Sequence, residues 1–151
     1  GLHINDINLD NDIPYIDLKP HPWRGLKTRG SQRQIPLVGA SLWAAKRIKE
    51  TNSDAVYAFP RYNNTSTTNG NSASAAINKW LKTRVPEGCV IHSFRHSVRD
   101  RLREVQCPAD MIDQIGGWST AGVGQAYGDG YNLNTLFHNM KDIQCHVSFK
   151  E

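Results

Sequence analysis

The sequence predicts an α+β domain, mainly helical, with a small antiparallel β-sheet. Three observations carry that prediction. Two short extended segments near the N-terminus flank a connection rich in proline and glycine. Beyond it, apolar residues recur at steps of three and four over most of the chain. The last residues return to strict alternation. At 151 residues the chain reads as one domain, 1–151, long enough to bury a core.

The elements follow in order. Residues 13–18 form a strand and residues 33–37 the returning strand, joined by a turn-rich connection with two prolines and two glycines over residues 19–30. Residues 41–51 form a helix with Leu42, Ala45 and Ile48 on one face. Residues 56–60 are a short apolar run closed by Pro60. Residues 63–74, NNTSTTNGNSAS, are too polar to bury anything and read as a surface loop. A helix over residues 73–84 carries Ala76, Ile77, Trp80 and Leu81 as its apolar side, with Trp80 expected in the core.

The helix over residues 92–105 has the clearest pattern. Phe94, Val98, Leu102 and Val105 predict one buried stripe. His92, Arg95, His96, Arg99 and Arg103 line the neighbouring stripe, so His92 and Arg95 share a face, and His96 reads as a packed histidine behind the site. Pro108 starts a helix over residues 109–115, and Gly116 or Gly117 ends it. A short helix carries residues 123–127. Residues 132–142 form a last helix, and residues 144–149 a strand with Cys145, Val147 and Phe149 on one side.

Charge points to an anionic partner. The net charge is +4 and the sequence pI about 9.1. Its distribution says more. Residues 19–49 hold eight basic residues and no acid, residues 79–103 seven basic and two acidic, and the first 18 only acids. The three cysteines show no CxxC spacing and read as free thiols in a reducing compartment. No apolar run approaches the length of a membrane span, and no signal peptide opens the chain. His92 and His96 lack the intervening glutamate of a zinc HExxH helix, so no metal site is expected.

The chemistry lies in HSFRHSVRDRLREVQCPADMIDQIGGWSTAGVGQAYGDGY, residues 92–131. It holds two phosphate-binding groups (His92 and Arg95), an indole donor (Trp118) and a phenol, Tyr127. A phenol ionises near pH 10, so forming the phenolate at pH 7 costs roughly 4 kcal/mol. Cations and N–H donors around a phosphodiester ease that cost and the repulsion of the incoming anion. A guanidinium matches two phosphate oxygens and stays charged. These residue types point to covalent phosphoryl transfer on DNA.

The same residues resemble the catalytic core of the tyrosine recombinases, or phage integrases. The family's HxxR is matched by His92 and Arg95, and its glycine-histidine element by Ile115, Gly116, Gly117 and Trp118. Tyr127 matches the nucleophile and Lys27 the β-hairpin lysine. The run Arg33, Gln34, Ile35, Pro36, Leu37 is also family-like. The family's first catalytic arginine has no counterpart, since no arginine precedes Arg24. The chain is therefore expected to be a fragment of the catalytic domain, inactive or very weak by itself.

The resemblance implies an integrase-type catalytic domain and a DNA breaking–rejoining activity used in integration or excision of a mobile element. It implies that Tyr127 attacks a phosphate to give a 3′-phosphotyrosyl link. Arg95, His92 and Trp118 would stabilise the charge, and Lys27 would protonate the leaving 5′-oxygen. Arg29, Arg33, Lys79, Lys82 and Arg99 are the candidate phosphate contacts. The partner implied is double-stranded DNA, with tetrameric self-association on it, no membrane and no cofactor. A cytoplasmic, DNA-associated protein of bacterial or phage origin is expected. Tyr131 is the competing tyrosine and reads as structural. A type IB topoisomerase-like enzyme and a non-catalytic DNA-binding relic are the alternatives.

Overall fold

The computed structural model describes residues 1–27, 31–118 and 130–143. Three strands, β1 (Ile7–Asn8), β2 (Tyr15–Leu18) and β3 (Arg33–Pro36), form an antiparallel sheet in chain order. Ile16 lies opposite Ile7 on one side and Ile35 on the other. The strand β1 is too short to show an alternation, so its sequence did not announce it. Among the described residues five α-helices follow: α1 (Gly39–Thr51), α2 (Gly70–Leu81), α3 (Ser93–Glu104), α4 (Ala109–Gly116) and α5 (Leu133–Asp142). The α+β, mainly helical prediction stands. The predicted helix over 123–127 and strand over 144–149 lie outside the described residues.

Two hydrophobic clusters hold these elements. Ile4, Ile7, Leu37, Ala45 and Ala58 pack together, with Leu42 and Ile48 of α1 against them. The expected face of α1 is therefore the buried one. The second cluster joins Leu102 of α3, Met111, Ile112 and Ile115 of α4, and Leu136 of α5. Each such side chain, once buried, contributes about 1.5–3 kcal/mol. The helices α4 and α5 also pack on β3, which sets the two clusters side by side.

Three expectations need correction. Residues 63–74 are not loop throughout. Asn64 Oδ1 accepts from the N–H groups of Ser66 and Thr67, and Asn69 then caps Ser72 N–H at 3.1 Å, so α2 begins at Gly70. A cap and small helix-tolerant residues outweighed the polar composition. Trp80 is not in the core. It is 57% exposed beneath the Arg84 guanidinium at 4.4 Å, because Leu81 takes the inward position of that turn. The stripe of α3 is buried in its middle only. Leu102 is sealed, whereas Phe94 is 58% and Val105 36% exposed. Phe94 instead lines a shallow apolar pocket with Leu81, Val85 and Val90.

The connection after β2 is more ordered than its composition suggests. Buried Asp6 gathers His21 Nε2 at 2.7 Å, Lys19 Nζ at 3.6 Å and Arg24 Nη2 at 3.6 Å. Arg24 also donates to the carbonyls of Gly1 and Lys19. A buried carboxylate is costly unless paired and hydrogen-bonded, and these partners provide both. His21 stacks on Trp23 at 4.6 Å between centroids, and Trp23 meets Tyr57 edge-on. Residues 19–24 are thereby fastened to the N-terminal segment.

Candidate active site

The site is built around the C-terminal end of α4. Gly117 adopts a left-handed conformation at φ +62°. Trp118 N–H then returns to Asp113 O at 3.0 Å, which closes the helix in a Schellman turn. That turn folds the Trp118 ring back over Gly116. A Cβ on Gly116 would lie 1.7 Å from the ring, and one on Gly117 would lie 2.4 Å from the Arg33 guanidinium. The two glycines of the GGW motif thus have separate tasks. Gly116 makes room for the indole, and Gly117 turns the chain and admits an arginine.

Three arginines converge there from two elements. Arg95, on α3, donates to Gly116 O at 2.8 Å, and its Cζ lies 4.3 Å from the centre of the Trp118 ring. Arg99, one turn on, lies 5.2 Å from the same ring and 3.8 Å from the buried Asp113 carboxylate. Arg33, at the start of β3, reaches the same helix end from the sheet. Its Nε donates to Ile115 O at 3.1 Å, its Nη2 to Gly116 O at 3.2 Å and its Nη1 to Ser31 O at 2.8 Å. Arg33 and Arg95 therefore share one carbonyl oxygen. Burial, and then the charge of Arg95, hold Arg33 below the usual guanidinium value.

The electrostatics suit an anion. A helix C-terminus carries a partial negative charge and attracts cations. Neutral carbonyls hold the guanidiniums of Arg33 and Arg95 in place without cancelling their charge. Trp118 packs against the second cluster while two cations lie over its ring. Each cation–π contact at a partly exposed site adds about 0.5–2 kcal/mol.

The remaining candidates divide as follows. His92 precedes α3 and is exposed, with its ring edge-on to His96 at 5.2 Å. His96 was expected to pack beneath the site, but it is exposed as well; its position one turn along α3 points it to solvent beside His92. Lys27 is exposed, as are Lys79 and Lys82 on and after α2. Tyr127 and Arg29 lie outside the described residues. Tyr131 points its phenol at Asp110, 3.0 Å from each carboxylate oxygen, and its main chain is clamped at both ends by the Gln114 amide. That hydrogen bond first, then burial and the Asp110 charge, raise its pKa. Sequence reasoning named Arg33 only as a phosphate contact and missed its attachment to α4. The available signal was a basic residue at the head of the strand facing a helix end.

Among the described residues, no group of three or more His, Cys, Asp or Glu is placed to hold a metal ion. No helix there is long and apolar enough to cross a membrane. In comparisons with known proteins, the family described as the phage integrase family matches residues 1–132. No curated protein and no solved structure matches.

Proposed function

The chain belongs to the phage integrase family, and from that membership we propose that it acts in site-specific DNA recombination through a phosphotyrosyl intermediate formed by Tyr127. The observation that carries this reading is the convergence of Arg95 and Trp118 on the end of α4, with His92 at the cap position that precedes the helix of Arg95.

In the proposed reaction Tyr127 Oη gives up its proton to solvent and bonds to the scissile phosphorus as the bond to the 5′-oxygen breaks. Arg95 and His92 hold the non-bridging oxygens while negative charge grows on them. The Trp118 N–H adds a donor, and its ring supports the Arg95 guanidinium from one face. Lys27 gives a proton to the departing 5′-oxygen. The energy of the broken bond stays in the phosphotyrosine ester, so a 5′-hydroxyl from a second duplex reverses the step. Pre-placed donors of this kind are worth roughly 10²–10³ in rate each. Lys79 and Lys82 would contact flanking phosphates, which positions DNA without reading its bases.

Covalent trapping tests the reading. The chain, alone and preceded by whatever its reading frame encodes upstream, is mixed with nicked duplex from the flanks of its own gene. SDS-resistant adducts are counted for wild type, Tyr127→Phe and Tyr131→Phe. An adduct lost in Tyr127→Phe and kept in Tyr131→Phe is the expected result. Salt-sensitive DNA binding with no adduct from either form would replace the reading with a non-catalytic DNA-binding role. Relaxation of supercoils without strand exchange would point to a topoisomerase-like activity.

A further inference from the structure

We propose that Arg33 is a positioning residue that locks β3 to the end of α4 and so holds Arg95 and Trp118 in register with the Lys27 hairpin. This rests on the phosphoryl-transfer reading above and assigns Arg33 a part in it other than phosphate contact.

The geometry separates the two roles. A phosphate ligand keeps its donors pointed at the ligand. Arg33 instead directs Nε, Nη1 and Nη2 to three main-chain carbonyls, two of them on α4. Its guanidinium fits where a side chain on Gly117 would stand, 2.4 Å from the Cβ position. Lys27 lies in the connection between β2 and β3, and Arg33 opens β3. Arg95 and Trp118 belong to the helical half. The Gly116 carbonyl is the point where the halves meet, since Arg33 and Arg95 both donate to it. Without Arg33, that oxygen loses one donor and Arg95 loses the like charge that limits its swing. Space for the Trp118 turn to rotate opens at the same moment.

Lysine at this position keeps the charge but cannot span two carbonyls in one plane. Charge alone therefore does not replace the fork. A displacement near 1 Å at a reacting centre costs about 10² in rate, whereas the charge available to DNA hardly changes.

The experiment compares wild type, Arg33→Lys and Arg33→Gln, and the variants that melt cooperatively decide the outcome. Adduct formation on the nicked duplex is measured beside equilibrium DNA affinity over a range of salt. Nitrogen-15 spectra report the Trp118 indole and the Arg95 Nε. Expected is an adduct rate about 10²-fold lower in both variants, affinity within about threefold, an unchanged salt slope, and shifted Trp118 and Arg95 signals. A salt slope lower by about one, with adduct formation restored by lysine, would overturn the proposal in favour of a phosphate contact. If wild type forms no adduct either alone or with its upstream sequence, the phosphoryl-transfer reading fails alone, and the spectra still decide. Unshifted Trp118 and Arg95 signals then overturn the positioning role.

Discussion

Substituting Gly116 by alanine should damage the site more than the fold. The added methyl would sit 1.7 and 1.8 Å from Cζ3 and Cε3 of Trp118. Carbon atoms in contact prefer about 3.5–4.0 Å, so the ring must retreat by about 2 Å. Overpacking of this size costs roughly 1–3 kcal/mol. Alanine recovers part of it, up to about 1 kcal/mol, by favouring helix over glycine. A net loss of about 1–2 kcal/mol in urea unfolding is expected. Function should fall further, because a ring moved by that distance leaves the Arg95 guanidinium, now 4.3 Å from its centre, without support. Adduct formation should drop by about 10² or more. A cycle with Trp118→Ala isolates the cause. With the ring gone, Gly116→Ala should cost nothing in stability, giving a coupling of about 1–3 kcal/mol. Additive unfolding energies across that cycle would refute the packing argument.

Three further outcomes follow from individual contacts. Gln106, at the end of α3, holds φ +57°, a conformation that strains a side chain by about 1–2 kcal/mol. Gln106→Gly should therefore raise stability by about 0.5–1 kcal/mol after its added unfolded-chain entropy, and a lower melting temperature would contradict this. Tyr131 has its pKa raised by donation to Asp110, so its stabilising contribution is complete below the ordinary tyrosine value and is lost as pH rises through the raised one. The stability gap between wild type and Tyr131→Phe should be steady from pH 7 to 9 and shrink above about pH 10; a gap that widens with pH would exclude the bond. Cys107 is buried, and burial, then the nearby Asp110 carboxylate, raise its thiol pKa, whereas Cys89 is exposed. Iodoacetamide followed by peptide mapping should label Cys89 first, and equal rates at the two would mean that α3 and α4 open readily.

Much of the site was legible because it follows short periods. Spacing placed His92 and Arg95 one turn apart at the head of α3, where Arg95 reaches the end of α4 and His92 is exposed beside His96, and Pro108 and Gly117 bracket α4 as proline and glycine usually do. Asn132 caps α5 at Thr135 N–H, where the last helix was expected. What could not be read arises between distant segments. The bond from Arg33 to Gly116 spans more than eighty positions, and no local pattern encodes it. Asp6 looks in the sequence like one of several early acids, whereas in the fold Lys19, Arg24 and the His21 ring gather around it. Trp80 and Phe94 illustrate the limit of periodicity. It locates an apolar face, but whether that face meets a neighbour depends on where α2 and α3 lie against each other.

The two hydrophobic clusters give the site a thermodynamic character. Each cluster can keep its own packing while the contact between sheet and helices loosens, so amide exchange should show two cooperative units rather than one. Arg33 crosses the boundary between those units and meets Arg95 of the helical one at the Gly116 carbonyl. An anion gripped there would bind only when the boundary is shut, and its binding energy would then be shared with the closing of the whole domain. Protection against exchange should spread through both units when phosphate arrives, well beyond the residues that touch it. The centre of reaction would also be the fastening of the fold.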